Sequence, residues 1–192
     1  EEYETQIRKA LRRGEEALVK EPLYTKEHVE KLFTCKMRKV SYEVCIVLAP
    51  FLNICLHNAG HILGSSFVDI HYEEEGVKKN VVFSGDIGSK NRLLLNELST
   101  LERADTLFVE STYGDREHRA LDESIAEFKS AIVQTLKDGG NAVIPSFALE
   151  RTQEILWILH QMHKEGLLGH SHVFLDSPLA IEATKLYHKY PS

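Results

Sequence analysis

The sequence predicts an α/β fold in two parts, and three observations predict it. From about residue 41, short runs rich in apolar and β-branched residues alternate with turn residues, the pattern of mostly antiparallel strands. In the last third, short apolar runs alternate with helical patterns, which implies a parallel sheet with right-handed crossovers. Between these parts, near 111–120, the chain passes from β-rich to alternating character. The 192 residues fit one domain, or one domain with a small addition.

Residues 1–40 are polar and helical. Ile7, Leu11 and Leu18 recur at helix-like intervals, with Gly14 interrupting them and Pro22 breaking the pattern. Thr25 reads as the N-cap of a helix over 26–33, with Val29, Leu32 and Phe33 on one face. Strands are expected at 44–48, 51–56, 66–72 and 80–83, separated by Pro50, by Asn58 to Gly60 and by Glu73 to Gly76. A loop with a short helix is expected over 92–101, and a short buried strand over 106–109. Leu121, Ile125, Phe128, Ile132 and Leu136 form one helix face that ends at Gly139 and Gly140. Strands are expected at 142–144 and 173–175. Helices are expected at 151–164, with Ile155, Leu156, Ile158 and Leu159 inward, and at 180–188. Trp157 reads as core beside Ile158, and the charges at 73–75 and at Lys78 and Lys79 read as a solvated hairpin tip.

Composition narrows the class. The chain is 43% hydrophobic and 27% charged, and its 23 basic against 29 acidic residues give a net charge of −6. Disordered tails, collagen-like repeats and disulfide mini-proteins are excluded. So is a globally basic nucleic-acid binder, although a local basic groove is not. Cys35, Cys45 and Cys55 lack the short pairing of a metal site. Cys45 and Cys55 read as small hydrophobes in apolar strands, in a reducing compartment. No apolar run suits a membrane span, and the charged N-terminus has no signal-peptide core. A cytoplasmic protein is expected. The missing initial Met and the end at Pro191 and Ser192 read as a chain cut at both ends.

Several predicted strands end in polar groups: Ser84 and Asp86, Glu110 to Tyr113, Ser146, and Asp176 with Ser177. Each alone reads equally as a turn residue. Together they suggest one cleft outside the carboxyl ends of strands, where α/β sheets bind ligands. His61 lies in Asn58-Ala59-Gly60-His61-Ile62-Leu63-Gly64-Ser65-Ser66, where small residues let a tight loop present the ring. Asp86 lies between Gly85 and Gly88 in the same manner. Imidazole and carboxylate suit zinc, at ~2.0–2.2 Å. Alone, such a histidine is more often a hydrogen-bonded structural residue than a ligand.

The order Gly60-His61-Ile62-Leu63-Gly64-Ser65, then Ser84-Gly85-Asp86, then Glu110-Ser111-Thr112-Tyr113-Gly114 resembles the β-CASP group of nucleases, the RNA-processing branch of the metallo-β-lactamase fold. The resemblance continues through Ile144-Pro145-Ser146-Phe147-Ala148-Leu149-Glu150-Arg151-Thr152-Gln153-Glu154 and Leu175-Asp176-Ser177-Pro178-Leu179-Ala180. It implies part of a metallo-β-lactamase αββα sandwich over 1–115, followed by part of a Rossmann-like parallel β-CASP domain over 116–192. It also implies a zinc-dependent hydrolase that cleaves RNA phosphodiester bonds with two Zn2+ ions. In that family the positions of His61 and Asp86 are metal ligands. Glu110 matches an acidic residue that orients a neighbouring group or moves a proton. RNA is the implied substrate, a homodimer is a possible assembly, and no membrane is involved.

The chain departs from the family where the main His-x-His-x-Asp-His motif should precede His61. Of the ten histidines only His170 and His172 have the His-x-His spacing; no Asp-His follows, and they read as a loop. The later histidine motifs beyond Asp176 are also absent. A chain with this partial ligand set should hold two zincs weakly and be inactive alone. Ser177, Arg151 and His118 are candidate substrate-binding residues. Arg151 opens a helix, whose N-terminus can hold an anion, or it packs between domains. His118 faces phosphate or lies in a solvated loop. His57 reads as structural. Two alternatives stand beside the nuclease: a non-catalytic scaffold subunit of an RNA-processing complex, and a metallo-hydrolase of small esters. Retention of His61, Asp86 and Glu110 argues against the scaffold, and the β-CASP-like half argues against the small-ester enzyme. Dinucleotide-binding, P-loop and serine-hydrolase motifs are absent.

Overall fold

The structure is a computed structural model that describes residues 2–14 and 22–190. Two compact units divide at residue 39. The first holds α1 (Glu2–Arg12) and α2 (Lys26–Thr34). Thr25 caps α2 as expected: its hydroxyl accepts from the His28 N–H while the His28 ring accepts from the Thr25 N–H, a reciprocal cap of two otherwise free donors. Leu18, part of the predicted helical pattern, lies outside the described residues.

The second unit is built on a five-stranded sheet in the order β1 (Cys45–Ala49), β2 (Leu52–Asn58), β3 (Ser66–Glu74), β4 (Val77–Phe83) and β5 (Thr106–Phe108). The first four strands form an antiparallel meander, as predicted, and β5 joins β4 in parallel. The β3–β4 turn is Glu75-Gly76, both at positive φ (52° and 77°). This is the two-residue hairpin geometry that matches strand twist. Partners Cys55, Asp69 and Val82 line up across β2, β3 and β4 and are buried. The loop after Arg92 covers that face: the Asn80 side chain donates to Asp69 and to the Arg103 carbonyl, and Ser99 pairs with the Asn58 main chain.

Three helices follow: α3 (Leu121–Lys137), α4 (Arg151–Lys164) and α5 (Pro178–Lys189). Ile132, Ile158, Leu159, Met162 and Leu168 form their core, flanked by Ile125, Phe128 and Ile155. Of the residues predicted inward on α4, Ile155, Ile158 and Leu159 belong to or flank this core, and Leu156 does not.

Five expectations fail. The strand expected to be buried over 106–109 forms at Thr106–Phe108 but is exposed, because it is the last strand of the sheet among the described residues. Residues 142–144 and 173–175 form no strand, so the predicted parallel sheet of the last third is absent among the described residues. Their apolar pattern is suited to burial, but a strand also needs a neighbour to take its N–H and C=O groups, and neither segment has one. Residues 92–101 contain no helix. Trp157 is 40% exposed, because its side of α4 faces away from the core pair Ile158 and Leu159. Finally, Cys45 and Cys55 are joined in a disulfide, since they are direct partners in the β1–β2 ladder. Cys35 is free and exposed.

Candidate functional site

Strand direction assembles the site. β2 and β4 are both antiparallel to β3, and β5 is parallel to β4, so β2, β4 and β5 end on the same sheet edge. The chain leaving β2 reaches His61, that leaving β4 reaches Asp86, and that leaving β5 reaches Glu110. Phe83 pairs with Phe108, which sets Ser84–Asp86 beside Glu110. Two of the four sequence-predicted strand-end groups, at Asp86 and Glu110, thus converge with the separately predicted His61 loop. Ser146 and Asp176 do not end strands; the Ser146 hydroxyl bonds that of Thr152 at 2.8 Å.

The His61 loop is held by its own small residues. Ser65 Oγ accepts from the His61 and Ile62 N–H groups at 3.0 and 3.1 Å, and Asn58 Oδ1 accepts from Gly60 N–H at 3.0 Å. The Tyr42 hydroxyl donates to the Ser65 carbonyl at 2.9 Å. The Asp86 loop locks against it. Gly88 N–H donates to the Ala59 carbonyl at 2.8 Å. A Cβ on Gly88 would lie 1.7 Å from the Gly60 carbonyl oxygen. The two glycines allow the two loops to touch backbone to backbone.

Glu110 fixes the Asp86 loop from below. Its Oε1 accepts from the Ile87 N–H at 2.7 Å and its Oε2 from the Thr112 hydroxyl. Its own N–H donates to Ser84 Oγ at 3.1 Å. The Thr112 hydroxyl first, the Ile87 N–H next and the nearby His61 ring hold the Glu110 carboxyl below the usual carboxylate range. Glu110 is therefore an ionised acceptor at neutral pH, with both oxygens engaged.

The helices reach the same place through Arg92, which donates to the His61 carbonyl at 2.9 Å. Its guanidinium faces Glu150 and Glu154 at 3.6 Å each. Arg151 pairs with Glu154 at 2.7 Å, and the Tyr187 hydroxyl bonds Glu150. Burial first, then Glu150, pushes the Tyr187 hydroxyl pKa up, so it stays a donor. Arg151 is thus linked to the His61 loop through Glu154 and Arg92. Ser177 is the N-cap of α5, its hydroxyl accepting from Ala180 N–H at 3.2 Å. His118 is exposed and packs edge-on against Tyr113. No described hydrogen bond ties Ser177 or His118 to the two loops. His57 is structural, bonded to Glu43 and stacked on Phe67 at 4.8 Å. Sequence reasoning assigned no role to Arg92, Thr112, Glu150 or Tyr187; Thr112 stood only within the polar strand end after 109, and Glu150 only as an unassigned letter of the resemblance's motifs.

A catalytic zinc takes three protein ligands and a water. His61 and Asp86 offer two, and among the described residues no group of three or more His, Cys, Asp or Glu could hold a metal ion. The described residues alone do not fit a complete zinc centre, and no step of a reaction is assigned to a metal they hold.

Fold and site together define an α/β protein whose loops at one sheet edge present an imidazole and two carboxylates. Residues 152–192 match the family model described as Beta-Casp domain. The chain is 36% identical over 167 residues to Ribonuclease TTHA0252 of Thermus thermophilus, covering 87% of this chain and 37% of that protein. It is 36% identical over 155 residues to the transcription termination factor FttA of Methanococcus maripaludis, covering 79% of this chain and 24% of that protein. With FttA of Methanocaldococcus jannaschii it shares 33% identity over 177 residues, or 90% of this chain and 27% of that protein. The match to the β-CASP family thus covers residues 152–192, and the likeness to these relatives extends over most of the chain. It spans between about a quarter and just over a third of the length of these curated relatives.

Proposed function

We propose that the whole protein is a metal-dependent hydrolase of RNA phosphodiester bonds, to whose active centre this chain contributes the His61 and Asp86 loops. The observation that carries this reading is the interlocked pair of loops at one sheet edge, in a chain 36% identical over 167 residues to a protein named a ribonuclease. The imidazole and carboxylate are part of a ligand set that suits zinc, and the whole protein would complete it. Residues 1–115 would belong to the metallo-β-lactamase-like part and 116–192 to the β-CASP part.

Within this centre the chain's own residues have distinct tasks. His61 and Asp86 face the reacting phosphate region. Glu110 orients the Asp86 loop by accepting from Ile87 and Thr112; with both oxygens engaged, it supports orientation over proton delivery. Arg151, Ser177 and His118 are proposed RNA contacts. Arg151 is the best supported, since its side chain is 55% exposed while anchored to Glu154. RNA cleavage by the whole protein, compared with Arg151→Gln, tests that contact. A higher KM for RNA with kcat retained is expected; an unchanged KM would remove Arg151 from the RNA path.

A further inference from the structure

Arg92 is the only described side chain that bonds the His61 main chain from outside the two interlocked loops and the Ser65 turn. Its side chain is 13% exposed. Nη2 donates to the His61 carbonyl at 2.9 Å, and the same group lies 3.6 Å from Glu150 Oε1. Nε lies 3.6 Å from Glu154 Oε1. These are ion-pair distances, too long for hydrogen bonds. Arg92 Nε and Glu150 Oε1 have no hydrogen-bond partner among the described residues. The guanidinium is therefore gripped on one side by charge and on the other by one directed bond to the loop that presents His61.

The carboxylates it faces are themselves fixed. Glu154 is buried at the first turn of α4 and paired with Arg151. Glu150 is 3% exposed, takes the Tyr187 hydroxyl, and has φ 67°, a conformation that non-glycine residues rarely adopt. Backbone of that kind persists when its surroundings over-determine it. A fixed acidic wall at the N-terminal end of α4, held by Tyr187 of α5, thus meets one cation whose Nη2 is bonded to the His61 carbonyl.

We propose that Arg92 is a positioning residue that sets the His61 loop against the first turn of α4. Helices α4 and α5 then determine where the imidazole sits, through Glu154, Glu150 and the Arg92 fork. Lysine in its place would keep the charge and lose the fork. This inference rests on the reading that His61 belongs to the reacting centre.

The test uses the whole protein, with RNA cleavage kinetics and amide hydrogen exchange read on the same preparations. Arg92→Met should lower kcat by about tenfold or more and leave KM for RNA within about twofold. Amides over 60–65 should exchange about tenfold faster, with the β2–β3 ladder unchanged. Arg92→Lys should recover part of kcat. Arg92→Met combined with Glu154→Gln should fall no further than Arg92→Met alone, because both act through one contact. The proposal is overturned if Arg92→Met keeps the parental kcat and the parental exchange at 60–65 while His61→Ala is inactive. It is also overturned if exchange rises through the whole sheet, since Arg92 would then act on global stability. Should Arg92→Met fail to fold, Arg92→Lys and Glu154→Gln decide by the same two readouts. If His61→Ala cleaves RNA like the parent, the reading of the site fails, and exchange at 60–65 still decides whether Arg92 positions the loop.

Discussion

Glu110 shows how much a single residue's role depends on partners that sequence does not display. As a letter it is an acid at a strand end. In the fold its two oxygens take the Ile87 N–H and the Thr112 hydroxyl, and its carboxyl is held below the usual carboxylate range. A carboxylate with a lowered folded pKa stabilises the protein above its unfolded pKa, and that stabilisation is lost as pH falls through the folded value. Melting temperature should therefore fall on acidification below about pH 4.3, the ordinary glutamate value. In Glu110→Gln the fall should be shallower; an identical acid profile would mean that Glu110 carries no such linkage. His61, Asp86 and Glu110 were legible because each follows an apolar run and sits among small or turn-forming residues. Arg92 and Tyr187 were not. Their partners lie 31 and 37 residues away, and no local period marks a pair that far apart. The cysteines were misread for the same reason, because pairing of Cys45 with Cys55 depends on the β1–β2 register. Alkylation of the unreduced protein should label Cys35 alone; labelling of all three would contradict the disulfide.

At the scale of elements, the contact between Gly60 and Gly88 carries the site. Nothing larger than hydrogen fits at residue 88, where a Cβ would enter the Gly60 peptide at 1.7 Å. Gly88→Ala should destabilise by at least about 1–3 kcal/mol, the usual cost of overpacking, as read by urea unfolding. A variant with parental stability would mean that the loops separate freely. The β3–β4 turn offers the opposite change. Glu75 occupies a left-handed conformation that asparagine tolerates better, so Glu75→Asn should raise stability by about 0.5 kcal/mol, in keeping with the preference for Asn-Gly in such turns. A loss of stability would show that Glu75 makes a contact worth more than its backbone strain. Elements whose partners are close in sequence were legible to within a few residues, including the meander, α2 with its Thr25 cap, and most of the inward face of α4. The segments at 142–144 and 173–175 were not, because three or four apolar residues specify burial without specifying a neighbour.

For the whole molecule, the strand ends and the helices meet at one place. The described chain brings β2, β4 and β5 to a common edge and braces it with α4 and α5 through Arg92. Its net charge of −6 belongs to a chain that spans 37% of the ribonuclease it resembles, and so does not describe how the whole protein would attract RNA. Among the described residues no helix is long and apolar enough to cross a membrane. The central claim is that His61 and Asp86 belong to one RNA-cleaving centre. The most direct test is cleavage of an end-labelled RNA by the whole protein and by its His61→Ala and Asp86→Ala variants, with melting curves on the same samples. Both variants should lose cleavage by a factor of about 100 or more while melting within a few degrees of the parent. Parental cleavage by either variant would contradict the account.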